Sequence, residues 1–304
     1  MDEIDYLLSQ YAIGRTIKVD KIEAGNTSNT FKITTDEGVW ILRSLKNELQ
    51  GKIELKISEH IHKQVPAVVA KLVQTETGEP YARYGKHFYN LQEYMEGEKV
   101  TPKMNCLFQI GESIGMIHDS LETSNCKYNQ TDRFDIETLW KQAKNKWQKL
   151  NDFCVDVVPN QNVMNATVNR FINHTTIQRH LIHGDLGIWN MLINRGTVKI
   201  IDFGEARLGH FYFDLAAGIT TAINEDLSQV KIEKALPELL KGYEKHRPKV
   251  DLEELLMYIH LWYLRGSLAI LAFSKVEEDF YEEVVYNFKM MNKYTKVFKA
   301  IEGN

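Results

Sequence analysis

The feature that most constrains this chain is a pair of short polar signatures set among apolar runs. The first is His183-Gly184-Asp185-Leu186-Gly187-Ile188-Trp189-Asn190 and the second is Asp202-Phe203-Gly204. Leu181-Ile182 precede the first, Met191-Leu192-Ile193 follow it, and Val198-Lys199-Ile200-Ile201 lead into the second. Short apolar runs of this kind read as buried strands, which places the polar residues on loops at the strand ends. Loops held by a rigid framework are where catalytic side chains concentrate. Gly and Asp are also ordinary turn residues, so either signature alone is weak; the two in this order and context are not.

Three side chains stand out on these loops: Asp185, Asn190 and Asp202. They suit phosphoryl transfer, in which a protein mainly positions groups and neutralises charge. An Asp at the start of a loop can orient an acceptor hydroxyl and take its proton. An Asn later in that loop can turn its carbonyl oxygen to Mg²⁺, and an Asp from the next strand can bind Mg²⁺ that bridges nucleotide phosphates.

At 304 residues the chain has room for two domains or one large two-lobed unit. A composition of 43% hydrophobic and 26% charged residues is that of a soluble globular protein. A net charge of -4 offers no general basic surface, so neither nucleic acid nor an anionic membrane is expected as partner. Cys106, Cys126 and Cys154 lie far apart and odd in number, which argues for reduced thiols and a cytoplasmic location. The opening MDEIDYLLSQ lacks the basic and apolar regions of a secretory leader. Leu252 to Phe273 is long and apolar, but Glu253, Glu254, His260 and Arg265 mark it as a buried helix rather than a membrane span.

Along the chain, residues 3–12 read as a short amphipathic helix and Ile17 to Glu23 as a strand. The polar loop that follows, with Thr27 and Ser28 at its centre, can offer backbone N–H groups to phosphates or serve as plain hairpin chemistry. Phe31 to Thr35 and Val39 to Arg43 flank the turn signal Asp36-Glu37-Gly38. Glu48 to Lys63 is a helix with Ile53, Ile57 and Ile61 on one face, stopped at Val65-Pro66. Its Glu54 and Glu59 both qualify as partners for Arg43. Val68 to Thr75 and His87 to Tyr94 complete an expected five-stranded lobe with one helix. Beyond Lys103 the pattern is helical, over 105–121, 135–150 and 163–179 before the loops and over 214–224, 226–246, 251–273 and 276–301 after them. Trp140, Trp147 and Phe171 read as core, with a substrate pocket as the alternative. His118 reads as structural, and Asp214 as either a helix N-cap or a holder of the catalytic loop.

Taken together, GNTSNTFKI, WILR, LQEYMEG, LIHGDLGIWNMLI, VKIIDFGEA and FDLA resemble the aminoglycoside phosphotransferase and choline kinase-like family. These are small-molecule kinases with a protein-kinase-like fold, and the general look is nearest the homoserine kinase-like and spore-coat-associated branches. The resemblance implies an α+β, two-lobed fold: a small antiparallel sheet lobe with one helix over residues 1–95, and a large, mainly helical lobe over 96–304. It implies ATP, or GTP in its place, with Mg²⁺, and a hydroxyl-bearing acceptor such as an amino alcohol, amino acid, sugar or aminoglycoside. By motif match Asp185 is the base and Asn190 and Asp202 are the metal ligands. Thr27, Ser28 and Arg43 face phosphates, Glu54 (by its offset from Pro66) pairs with Arg43, and backbone groups of Glu93 and Met95 meet the adenine edge. Glu205, directly after the second signature, is open to metal, to a cationic acceptor or to neither. Glu205, Glu225, Asp226, Trp262 and Tyr263 are candidate walls for a cationic acceptor, and Arg207 or Arg265 for a carboxylate.

The span from Asp202 to Asp214 is too short to dock a peptide, which favours a small-molecule acceptor over protein. A protein-directed kinase and a non-catalytic nucleotide-binding scaffold stand as alternatives, the latter disfavoured by the presence of all three polar side chains. Oligomeric state is not legible.

Overall fold

A computed structural model describes residues 3–22, 29–124, 130–154, 156–174, 179–223, 228–274 and 278–303. Thr27, Ser28, Cys126, Glu225 and Asp226 lie outside the described residues. The chain opens with α1 (Glu3–Leu8), β1 (Thr16–Ile22), β2 (Thr30–Thr35), β3 (Val39–Leu45), α2 (Glu48–Gln64), β4 (Leu72–Val73), β5 (Ala82–Tyr84) and β6 (His87–Glu93). The strands form one antiparallel sheet in the order β1-β2-β3-β6-β4, with β5 also paired to β6. The sheet therefore has six strands rather than the expected five, because Ala82-Arg83-Tyr84 is short and runs straight into a turn at Gly85. The expected strand over 68–75 shrinks to two residues, because Val68 and Val69 are buried in the large core instead. Two helices rather than one flank this sheet: Leu7 and Leu8 of α1 pack with Ile33, Leu42, Tyr89 and Leu91 into a small core of their own.

α2 starts where Asn47 Oδ1 accepts from Gln50 N at 3.0 Å. Ile53, Ile57 and Ile61 recur on one face, and that face joins the large core of the helical part, not the small core under the sheet. The helix thus sits between the two cores, with Glu54 one position round from its apolar stripe.

The remainder runs through β7 (Glu98–Lys99), α3 (Leu107–Glu122), α4 (Ile136–Phe153), α5 (Gln161–His174), β8 (His180–Ile182), β9 (Met191–Asn194), β10 (Thr197–Ile200), β11 (Arg207–Gly209), α6 (Phe211–Ala222), α7 (Gln229–Tyr243), α8 (Leu252–Phe273) and α9 (Glu278–Glu302). Helix α8 is long and apolar enough to cross a membrane. Here it packs against α4, α6 and α9, burying Leu255, Ile259, Leu264 and Leu268. Trp140, Trp147 and Phe171 are core, and the two indoles meet edge to face at 5.7 Å. The helix expected from 214 begins at Phe211, because its N-cap is His210, whose Nδ1 accepts from Tyr212 N at 3.2 Å.

Short strand pairs then set the loops. β8 pairs with β11 so that Ile182 faces Arg207, which brings that arginine beside His183-Gly184. β9 and β10 form a hairpin closed by Arg195 and Gly196, at φ 48° and 79°. Ile200 N donates to Val68 O at 2.7 Å, tying the end of β10 to the segment after α2.

Candidate active site

The lower wall of the cleft is positioned through its main chain. Asp214 is fully buried. Its carboxylate accepts from His183 N at 2.7 Å and Gly184 N at 2.8 Å. Of the two roles open to Asp214, holding the loop is the one the structure shows. Gly184 has φ +82°, and a Cβ there would lie 2.0 Å from Arg207 Nη1, so only glycine fits. The His183 ring places Nε2 3.0 Å from Ile201 O, which requires that nitrogen to donate. Nδ1 is then the acceptor for Asp185 N at 3.3 Å. His183 thereby links the two signature loops.

Asp185 follows. Asn190 Nδ2 donates to its carbonyl at 2.8 Å and to its Oδ2 at 3.3 Å, and Trp189 Nε1 donates to the same Oδ2 at 3.3 Å. Burial raises the Asp185 carboxyl above its ordinary value, and the neighbouring Asp202 and Glu205 charges add to this against the opposing effect of His183 and Trp189. A carboxylate with a raised pKa is a stronger base than a solvated one.

The upper wall uses side-chain charge. The register pairs Arg43 of β3 with Asn90 of β6, so both side chains leave the same face of the sheet. They converge on Glu54: Arg43 Nη2 donates to Oε2 at 2.5 Å and Asn90 Nδ2 to the same oxygen at 2.7 Å, while Gln50 Nε2 reaches Oε1 at 2.6 Å. Glu54, and not Glu59, is the partner of Arg43; Glu59 faces Lys56 instead. The other arm of Arg43 pairs with Asp202. Asp202 adopts φ 65°, a left-handed conformation unusual for a residue with a side chain. Burial raises the Asp202 carboxyl, but Arg43 overrides it and holds the group below the usual carboxylate range.

Arg43, Lys46, Arg133, Asp185, Asp202 and Glu205 line one cleft pocket of about 120 Å³. Glu205 is not a free carboxylate there, since it pairs with Lys46 and, at 3.2 Å, with Arg133. Arg207 and Arg265 are likewise engaged, both by Asp132, at 3.1 and 2.9 Å. Trp262 stacks on Trp189 at 6.4 Å beside Asp185, and Tyr263 is buried in the core. Glu93, the last residue of β6, and Met95 just beyond it border a separate hollow of about 460 Å³ with Pro66, Arg195 and Lys199. Glu93 N is spent on Lys71 O and Tyr94 N on Val39 O. None of Arg43, Asp185, Asn190 or Asp202 lines that hollow.

Trp189, Lys46, Asp132 and Arg133 belong to the site but carried no role in the sequence reading. For Trp189 a signal existed, an aromatic inside the catalytic loop; for the others only the fold brings them in.

Among the described residues no three His, Cys, Asp or Glu side chains gather as a metal cage. Asn190 and Asp202 fit a cation of another kind. Both contacts of Asn190 to Asp185 use its amide nitrogen, so the lone pairs of Oδ1 can face a cation. Two hard oxygen donors suit Mg²⁺, which completes its shell with phosphate and water.

Residues 18–252, more than half of the chain, match the phosphotransferase enzyme family, APH. A homoserine kinase of Neisseria meningitidis serogroup B is 24% identical over 269 residues, covering 81% of this chain and 80% of that protein. An aminoglycoside phosphotransferase from Alicyclobacillus acidocaldarius superposes with a TM-score of 0.72 at 12% identity, over 98% of this chain and 95% of its own. An amicoumacin kinase, solved with AMP-PNP, Ca²⁺ and Ami, does so with 0.70 at 18% identity, over 97% and 94%. At such identities the two structures speak for the fold, a kinase-like sheet lobe on a helical lobe. The family match spans both walls of the cleft, from Arg43 to Asp214: the chain belongs to the phosphotransferase enzyme family, and its activity is that of a small-molecule kinase.

Proposed function

We propose that the chain transfers the γ-phosphoryl group of ATP to a hydroxyl of a small molecule, with Asp185 as the base. The observation that carries this reading is the single pocket in which Asp185, Asp202 and Arg43 face one another. The acceptor oxygen attacks the γ-phosphorus, the bond to the β–γ bridging oxygen breaks, ADP leaves, and the acceptor proton passes to Asp185 Oδ. Asp185 is held for this by Asn190 and Trp189 on its side chain and by His183 on its main chain. Arg43, clamped by Glu54, presents a planar cation to the phosphates. Mg²⁺, held by Asn190 and Asp202, would neutralise phosphate charge. The hinge at Glu93–Met95 receives the base, with residues 1–95 as the nucleotide lobe and 96–304 as the acceptor lobe.

The acceptor is an amino alcohol, amino acid, sugar or aminoglycoside. The exposed indole of Trp189, backed by Trp262, gives it an apolar face to lie on. The test is a coupled ADP-release screen of these four classes with ATP and, separately, GTP. Asp185→Asn is expected to abolish turnover while leaving nucleotide affinity near wild type. Full activity in Asp185→Asn would remove the base from this scheme.

A further inference from the structure

We propose that segment 130–134 is a fixed strap across residues 202–207, and that Asp132 is a positioning residue for Asp185; this rests on Asp185 being the base. The strap is tied at successive points. Gln130 Nε2 donates to Gly204 O at 3.1 Å and Ala206 O at 2.7 Å. Asp132 places one oxygen 3.1 Å from Arg207 Nη2 and the other 2.9 Å from Arg265 Nη2. Arg265 Nε returns to Phe134 O at 3.1 Å.

Arg207 carries the effect onward. Its other nitrogen, Nη1, donates to Gly184 O at 2.9 Å. That carbonyl lies in the peptide plane that contains Asp185 N. Asp214 holds the preceding amide at Gly184 N. The Gly184 residue is thus gripped from both ends, and Asp132 fixes the outer grip. Without the carboxylate of Asp132, Arg207 and Arg265 would face each other as like charges at the wall behind Asp185. The guanidinium of Arg207 would then be directed only by the Glu205 carbonyl at 3.3 Å and the face of Phe213 as it holds the Gly184 carbonyl. The strap supplies bracing that the short run from Asp202 to Asp214 has too little chain to provide.

The experiment measures MgATP hydrolysis with water as acceptor, as inorganic phosphate released, for Asp132→Asn, Asp132→Glu, Arg207→Met and the Asp132→Asn/Arg207→Met double variant. Asp132→Asn is expected to lose roughly 10- to 100-fold in kcat, with MgATP affinity unchanged. The double variant is expected to be no worse than Arg207→Met alone, since Asp132 reaches Asp185 through Arg207. Asp132→Glu keeps the charge but displaces it: its kcat falls by a smaller factor with MgATP affinity unchanged, a result that decides the matter if Asp132→Asn does not fold. A wild-type kcat in Asp132→Asn, a fall in Tm with kcat unmoved, additive losses in the double variant, or a wild-type kcat in Asp132→Glu each overturns the strap. Activity retained in Asp185→Asn overturns the base assignment and this proposal with it. An inactive Asp185→Asn beside a normal Asp132→Asn overturns the strap alone.

Discussion

The two walls of the cleft are held in opposite ways. Above, charged side chains are fixed by charged side chains: Arg43 lies between Glu54 and Asp202, and Glu54 is further secured by Asn90 and Gln50. Below, buried side chains fix the main chain: Asp214 takes two amides, Arg207 takes the Gly184 carbonyl, and Asp185 follows directly on the Gly184 so held. The upper wall is the more adaptable of the two, because a side-chain ion pair can exchange partners, as the proposed binding of phosphate by Arg43 requires. The lower wall cannot move without breaking buried backbone hydrogen bonds, which cost most when unmade. A base needs fixed geometry; a phosphate clamp needs partners it can trade.

This contrast can be broken or sharpened by substitution. Asp202→Asn should cost about 10³-fold in turnover with the fold intact, because Asn tolerates the left-handed conformation at φ 65°; steady-state kinetics beside a thermal melt would show whether chemistry alone is lost. Asp214→Asn is next. Asn has one acceptor oxygen for two amides, so a buried N–H is orphaned and stability should fall by about 3 kcal/mol in denaturant titration. Glu54→Gln should cost less, about 2 kcal/mol, because Asp202 remains as a partner for the buried Arg43. If Glu54→Gln proved as damaging as Asp214→Asn, the upper wall would be no more adaptable than the lower.

The pH profile probes the proposed base directly. Burial raises the Asp185 carboxyl, so it takes up a proton at higher pH than a solvated aspartate, whose ordinary value is 3.8. Activity should fall on the acid side about tenfold per pH unit once below that raised pKa. A limb at the ordinary position would mean that Asp185 is solvated during turnover. Lys46→Ala should have the smallest effect on stability, less than about 1 kcal/mol, since the Lys46 side chain is 45% exposed where it meets Glu205.

Much of this site is legible in the sequence. Apolar runs on both sides of His183–Asn190 and before Asp202 force short strands with loops between them, and polar residues on those loops have nowhere to go but the cleft. Arg43 on the third strand and Glu54 beside the Ile53-Ile57-Ile61 stripe follow from periods of two and 3.6 residues, although β3 runs to Leu45 and Arg43 does not end it. The errors are also local in origin. β5 is too short to show a period, and Val68 and Val69 look like strand because burial in a core and burial in a sheet demand the same residues.

Asp132, Arg133 and Lys46 have no local pattern that marks them. They acquire meaning only when segment 130–134 crosses residues 202–207, a contact between parts of the chain far apart in sequence. Arg207 and Arg265, candidates for an acceptor carboxylate when read alone, face Asp132 instead, and Glu205 faces Lys46 and Arg133.

The sequence by itself determined the family, the kinase-like division into a sheet part and a helical part, and which side chains stand at the strand ends, because these depend on periodicity and motif within short windows. Only the tertiary structure decided that Glu54 holds Arg43, that Asp214 holds the loop instead of capping its helix, and that Asp132 reaches Gly184 through Arg207. Those pairings depend on which charge meets which in a low-dielectric interior, and distance in space is not written in distance along the chain.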